Sequence, residues 1–116
     1  MKIRAMIIDG TEISRRKLSE ILESDHSIEV VCKLGDEEGA AEMVGWISPD
    51  VVLIKVDMCK KGGFELFDSV LKKKIPVIVI GNGKDRCDEL IDLLEKGAVD
   101  FLAWPKNKDV IKKVKN

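Results

Sequence analysis

The sequence predicts an α/β fold: a doubly wound parallel sheet of five strands alternating with five helices. Three observations predict it. Short runs dense in Val and Ile recur along the 116 residues, separated by stretches whose apolar residues have helical spacing. The run Val51–Ile54 has no polar position, as a strand covered on both faces requires. Pro49 and Pro76 stand just before or at the head of two such runs, where a missing N–H is tolerated.

The first strand is Lys2–Ile8, ending at Asp9-Gly10. Thr11 is a plausible N-cap for a helix to about Glu23, with Leu18, Ile21 and Leu22 on one face. Ser24–Ser27 turn the chain into the second strand, Ile28–Leu34. A helix from about Glu37 carries Ala40, Met43, Val44 and Ile47, and Pro49 stops it. Trp46 follows this stripe and is expected to cover the core edge. The third strand leads into a loop that Gly62-Gly63 break before a helix from Phe64. That third helix has Phe67, Val70 and Leu71 on one face and ends in Lys72-Lys73-Lys74, favourable at the negative end of a helix dipole. The fourth strand begins at Pro76 and runs into Gly81-Asn82-Gly83. The fourth helix aligns Cys87, Leu90, Ile91 and Leu94, with Gly97 as a natural C′ residue. Val99–Ala103 is the short fifth strand, and Val110, Ile111 and Val114 line the fifth helix. With no linker or repeat, residues 1–116 read as one domain.

Composition narrows the function classes. The net charge of −1 argues against a nucleic-acid surface, which would rely on phosphate neutralisation. No apolar run is long enough to span a membrane, and the N-terminus lacks a signal-peptide core, so a cytoplasmic protein is expected. Cys32, Cys59 and Cys87 are an odd set without CxxC spacing, which indicates neither a disulfide framework nor a zinc site.

Chemistry in such sheets sits at the carboxyl ends of the strands. With strand order 2-1-3-4-5, the switch in winding direction lies between strands 1 and 3 and brings Asp9 and Lys55 side by side. Four segments around these positions, KIRAMIIDGTEISRRKLSEILESD, SPDVVLIKVDM, IPVIVIG and EKGAVDFLAWP, together resemble the receiver domain of two-component response regulators over the whole length. The chain is most similar to the receivers of chemotaxis methylesterases. The resemblance implies a flavodoxin-like fold and a site with an acidic pair after strand 1 and a phospho-accepting Asp after strand 3. It also implies a Ser/Thr after strand 4, a Lys after strand 5 and Mg²⁺ among the acids.

Little of that apparatus is kept. Asp9 matches the first acid, but Gly10 stands at the second and Lys55 at the phospho-acceptor. Gly81 replaces the Ser/Thr, Trp104-Pro105 the Lys-Pro pair, and Phe101 occupies the switch-aromatic position without a hydroxyl. An ammonium cannot become an acyl phosphate. Gly10 and Lys55 also remove two oxygen ligands that Mg²⁺ would want. Unit charges about 4 Å apart interact by about 4 kcal/mol at an effective dielectric near 20, and a divalent ion beside Lys55 would face roughly twice that as repulsion. No metal, cofactor or phosphoryl transfer is therefore expected. Lys55 is expected to fill the cation's place, paired with Asp9 and Asp57; the plainer reading has it extending into solvent.

Other residues carry weaker signals. Trp104 either plugs the pocket, anchors a partner or packs over the loop end. A Cys59–Cys87 redox pair is conceivable, but isolated thiols in a reducing compartment are the default. His26 reads as a solvated turn residue. Gly81-Asn82-Gly83 reads as a turn, with an anion cradle as the alternative. Lysines 106, 108, 112, 113 and 115 form either the solvated face of the last helix or a dock for an acidic partner. The expectation is a degenerate receiver that is not phosphorylated, not an enzyme, and acts through protein partners. The family implies the helix 4–strand 5–helix 5 face, with a homodimer possible. The alternative is a receiver-like domain that senses a small ligand or anion at the strand-end crevice.

Overall fold

The three central strands have no solvent-facing side, and the helices are distributed accordingly. The computed structural model describes residues 2–36, 38–60, 65–81, 87–102 and 107–115. Along the chain these form β1 (Ile3–Ile8), α1 (Glu12–Glu23), β2 (Ile28–Leu34), α2 (Ala40–Ile47), β3 (Val51–Lys55) and α3 (Val56–Lys60). They continue with α4 (Glu65–Lys72), β4 (Val77–Ile80), α5 (Cys87–Lys96), β5 (Asp100–Leu102) and α6 (Asn107–Lys115). The five strands make one sheet in the order β2-β1-β3-β4-β5, every pair parallel, as the sequence leads one to expect.

Alternation sorts the side chains into two cores. Ala5, Ile7, Val51, Leu53, Ile78 and Ile80 face α1 and α6, meeting Leu18, Ile21, Leu22, Val110 and Val114. Met6, Ile8, Val52, Ile54, Val77 and Val79 face α2 to α5, meeting Val44, Met58, Phe67, Val70 and Leu93. The period of two breaks once. In β2 the register with β1 skips Val31, so Ile28 and Val30 face one core while Cys32 and Leu34 face the other. A one-residue bulge on an edge strand accounts for this. Burial also pushes the Cys32 thiol above its ordinary value, against the smaller influence of the Lys33 N–H, which disfavours a reactive thiolate.

Two boundaries differ from the sequence reading. Among the described residues there are six helices rather than five. The addition is α3, one turn that follows β3 directly where a loop is expected; Val56, Met58 and Cys59 are buried along it. So short a helix offers no periodicity to read, and only tertiary burial stabilises it. Secondly, α2 starts at Ala40 rather than near Glu37, because Gly39 takes a left-handed conformation at φ 75°. Thr11 is the N-cap residue of α1, as expected, but makes no side-chain cap bond. Gly97 does end α5, at φ 130°, and a Cβ there would come within 3.1 Å of Leu71 Cδ1.

Trp46 corrects an expectation outright. It is 86% exposed and covers no core edge, because Val44, two residues earlier and so on the opposite side of this short helix, takes the inward-facing place. His26 is exposed in its turn, as expected. The side chain of Cys87, and with it the Cys59–Cys87 pairing, lies outside the described residues, as do Gly62-Gly63 and Asn82-Gly83. No helix among the described residues is long and apolar enough to cross a membrane.

The turn between α1 and β2 is tied to the last helix. Asp25 accepts hydrogen bonds from the Ser27 hydroxyl and from the Ser27 N–H at 2.8 Å, and pairs with Lys115 Nζ at 3.3 Å. The two Ser27 bonds, chiefly, and then Lys115 bring its carboxyl down to about 2 against partial burial. A folded pKa below the unfolded value stabilises the fold above the ordinary carboxylate range, and this contribution disappears as the pH falls through about 2. Urea denaturation between pH 2 and pH 5 should therefore show Asp25→Asn losing the part of the acid dependence that the parent shows. In the core, Phe67→Ala, at a side chain with no exposure, should cost about 3–5 kcal/mol in the same assay at neutral pH.

Candidate functional site

The register of three neighbouring strands fixes which residues meet at the carboxyl end of the sheet. Ile8 pairs with Ile54, so Asp9 and Lys55 are the next residues on adjacent strands. Lys55 pairs with Ile80, so Gly81 follows on the other side. Asp9, Lys55 and Gly81 are all buried, the first two at 2% and 7% exposure. Their proximity is thus a consequence of the apolar runs that precede them.

Asp9 is held by backbone. Its N–H donates to the Leu34 carbonyl at 3.0 Å, and its Oδ1 accepts the Thr11 N–H at 2.9 Å. This bond places a carboxylate near the positive end of α1. Oδ2 is buried and makes no hydrogen bond among the described residues. The Asp9 carbonyl accepts Arg15 Nη1 at 2.7 Å, and the guanidinium lies so close to Gly35 that a Cβ there would stand 2.8 Å from Nη1.

Lys55 does not pair with Asp9, contrary to expectation, and it does not extend into solvent. Its ammonium donates to Ser14 Oγ at 3.1 Å. Asp57 is the second residue of α3 and is exposed, and no ion pair joins it to Lys55. The helical turn of α3 is the reason: continuing β3 as a loop would leave Asp57 free to fold back, whereas the α3 geometry buries Val56 and Met58 and directs the residue between them outward. A buried ammonium needs a hydrogen-bond acceptor, and the hydroxyl of Ser14 serves.

Sequence reasoning singled out neither Ser14 nor Arg15. A signal for Ser14 was there: it stands four residues before Leu18 on the buried stripe of α1, a polar residue at the strand-end pole of an apolar face. Of the other expected site residues, Gly10 is exposed, and a Cβ there would meet only Met58 Sδ at 3.5 Å and the Gly35 carbonyl at 3.6 Å. The Gly81 N–H donates to the Leu102 carbonyl at 2.7 Å, so it is committed to the sheet rather than to an anion. Phe101 is half-buried against the core beneath α2 to α5. Trp104 lies outside the described residues.

The last helix is less solvated than its lysines suggest. Lys113 pairs with Asp100 at 2.7 Å, and the Asp100 carboxyl lies below its ordinary value because Lys113 and the Phe101 N–H outweigh its burial. Lys112 and Lys115 remain exposed, Lys115 while bridging to Asp25.

Comparison with known proteins agrees with this geometry. The model of the response regulator receiver domain matches residues 5–115. A protein-glutamate methylesterase/protein-glutamine glutaminase of Thiobacillus denitrificans is 33% identical over 108 residues, covering 91% of this chain and 30% of that protein. Its counterpart in Nitrosomonas europaea is 35% identical over 107 residues, covering 90% of this chain and 30% of that protein. The chain thus spans about a third or less of the length of these curated relatives. Among solved structures, the response regulator domain of Thermotoga maritima CheB superposes with a TM-score of 0.86 at 24% identity, covering 99% of this chain and 95% of that one. The receiver domain of NarL from Mycobacterium tuberculosis gives 0.84 at 24% identity, with 97% and 93% coverage.

Ser14→Ala removes an acceptor from a buried ammonium and should cost about 1–3 kcal/mol in denaturant unfolding. Ser14→Thr, which keeps the hydroxyl, should recover most of that loss.

Proposed function

Since the chain belongs to the response regulator receiver family, we propose that it is a receiver whose phosphoryl switch is replaced by a fixed cation, and that it acts through protein partners in two-component signalling. The observation that carries this reading is the buried Lys55 ammonium at the end of β3, where the family places a phospho-accepting carboxylate. A carboxylate nucleophile is absent from that position, and an amine cannot yield the aspartyl phosphate. The donor set does not suit Mg²⁺ either. One buried carboxylate, Asp9, stands beside a buried cation, and Gly10 offers no side-chain ligand. No catalytic role is assigned to the domain, and its placement in the cytoplasm follows from the same reading.

On this reading the partner surface is the face formed by α5, β5 and α6, where receivers commonly engage their targets. The ion pairs Lys113–Asp100 and Lys115–Asp25 hold α6 against β5 and the α1–β2 turn, which supports one fixed surface rather than two alternating ones. Lys112 offers an exposed positive charge there to an acidic partner or to a second copy. The sensing of an anion at the crevice is less favoured, because the Gly81 N–H is already bonded to Leu102.

The test is an amide NMR titration with Mg²⁺ and then beryllofluoride. Resonances of Asp9, Lys55, Asp57 and Gly81 should stay fixed in the parent. In a Gly10→Asp/Lys55→Asp variant, which restores two carboxylates at positions with room for them, saturable shifts should appear. Saturable shifts in the parent would overturn the reading.

A further inference from the structure

The largest exposed side chain of the described residues stands away from both the strand-end crevice and α6. Trp46 on α2 is 86% exposed, and Met43, one turn earlier, is 38% exposed. The indole stands between two depressions. One, of about 520 Å³, is lined by Glu38, Gly39, Glu42, Met43, Trp46 and Ile47. The other, of about 490 Å³, runs past Gly45 to Lys73. Gly45 keeps that second side low, since a Cβ there would meet Lys73 Cε at 3.5 Å. Water solvates an indole poorly, and a Trp left standing with an apolar neighbour marks a surface that something covers.

We propose that this face of α2 docks a basic segment of a partner protein, at a surface separate from α5–β5–α6. Charge complementarity selects the occupant. The helix contains no Lys or Arg, and Glu42 lies one turn before Trp46 on the same side. Glu38 and Asp36, both exposed, extend the acidic edge. An Arg or Lys laid over the indole would gain a cation–π contact and reach a carboxylate at the same time. An aliphatic neighbour would fill the floor formed by Met43 and Ile47. On the Met43 side anionic lipid and nucleic acid meet Glu38 and Glu42, which disfavours both, while Lys73 bounds the Gly45 side and confines the basic segment to the first depression. A second copy fits less well: its most basic element, α6, turns Val110 and Val114 into the core and half-buries Ile111, which leaves lysines without an apolar anchor.

The experiment uses a displayed library of random peptides selected on the immobilised chain, with the recovered peptides synthesised and titrated by calorimetry. The expected set pairs Arg or Lys with a neighbouring aliphatic or aromatic residue. Trp46→Ala should weaken it by about thirtyfold or more, as for an interface hot spot. Because Trp46 is exposed, this variant should keep the parent amide spectrum. Glu38→Lys/Glu42→Lys should weaken basic peptides about tenfold or more, the size expected of a close ion pair across an interface, while peptides with Arg replaced by Glu should gain. Failure to select any peptide, selection of acidic peptides, or affinities indifferent to both variants would overturn the proposal. Sedimentation showing a dimer that Trp46→Ala abolishes would assign the face to a second copy and overturn it equally.

Discussion

Burial of β1, β3 and β4 on both faces leaves these strands nowhere to place a polar side chain except at their ends. Ala5–Ile8, Val51–Ile54 and Val77–Ile80 are all below a tenth exposed, with α1 and α6 on one side and α2 to α5 on the other. A charge inside such a run would face a desolvation penalty that no partner in the layer could offset. The polar residues that end the runs therefore collect in one crevice. What the protein can do there is fixed by which three or four residues the strands deliver.

In this chain they deliver one carboxylate, one ammonium and one glycine. On the proposed reading the arrangement is a fixed one. Asp9 is pinned by the Leu34 carbonyl and the Thr11 N–H, Arg15 caps the Asp9 carbonyl, and Lys55 reaches across to the hydroxyl of Ser14. The Leu34 bond ties the end of β1 to β2, and the others tie strand ends to α1 or its N-cap residue, so the first helix and the crevice form one unit. A site meant to change state on gaining a charge would keep some of these groups uncommitted. On the proposed reading, the surface that partners see is set when the chain folds.

Two surfaces of opposite character result. The α6 side is basic but partly neutralised by Asp100 and Asp25, which also act as struts between elements. The α2 side carries Glu38, Glu42 and an indole that is 86% exposed. They lie over opposite faces of the sheet, α6 with α1 and α2 with the remaining helices, so occupation of one need not exclude the other.

The sequence by itself determined the sheet, its winding and the positions of the crevice residues, because a strand buried on both faces must be written as an unbroken apolar run. It also determined that Lys55 and Gly10 stand where the family has acids. Tertiary structure decided the rest. That Lys55 bonds to α1 depended on how far α1 leans over β3, a distance no local pattern encodes, and so the Ser14 hydroxyl, rather than the carboxylate of Asp9 or Asp57, accepts a hydrogen bond from it. The turn α3 was hidden because five residues carry no period, and its formation moved Asp57 to the surface. The fate of Trp46 was equally out of reach: at an eight-residue helix opened by a left-handed glycine, a small rotation decides which residues face inward. Residues whose environment is set by their own strand could be read directly, whereas those set by contact between elements required the fold.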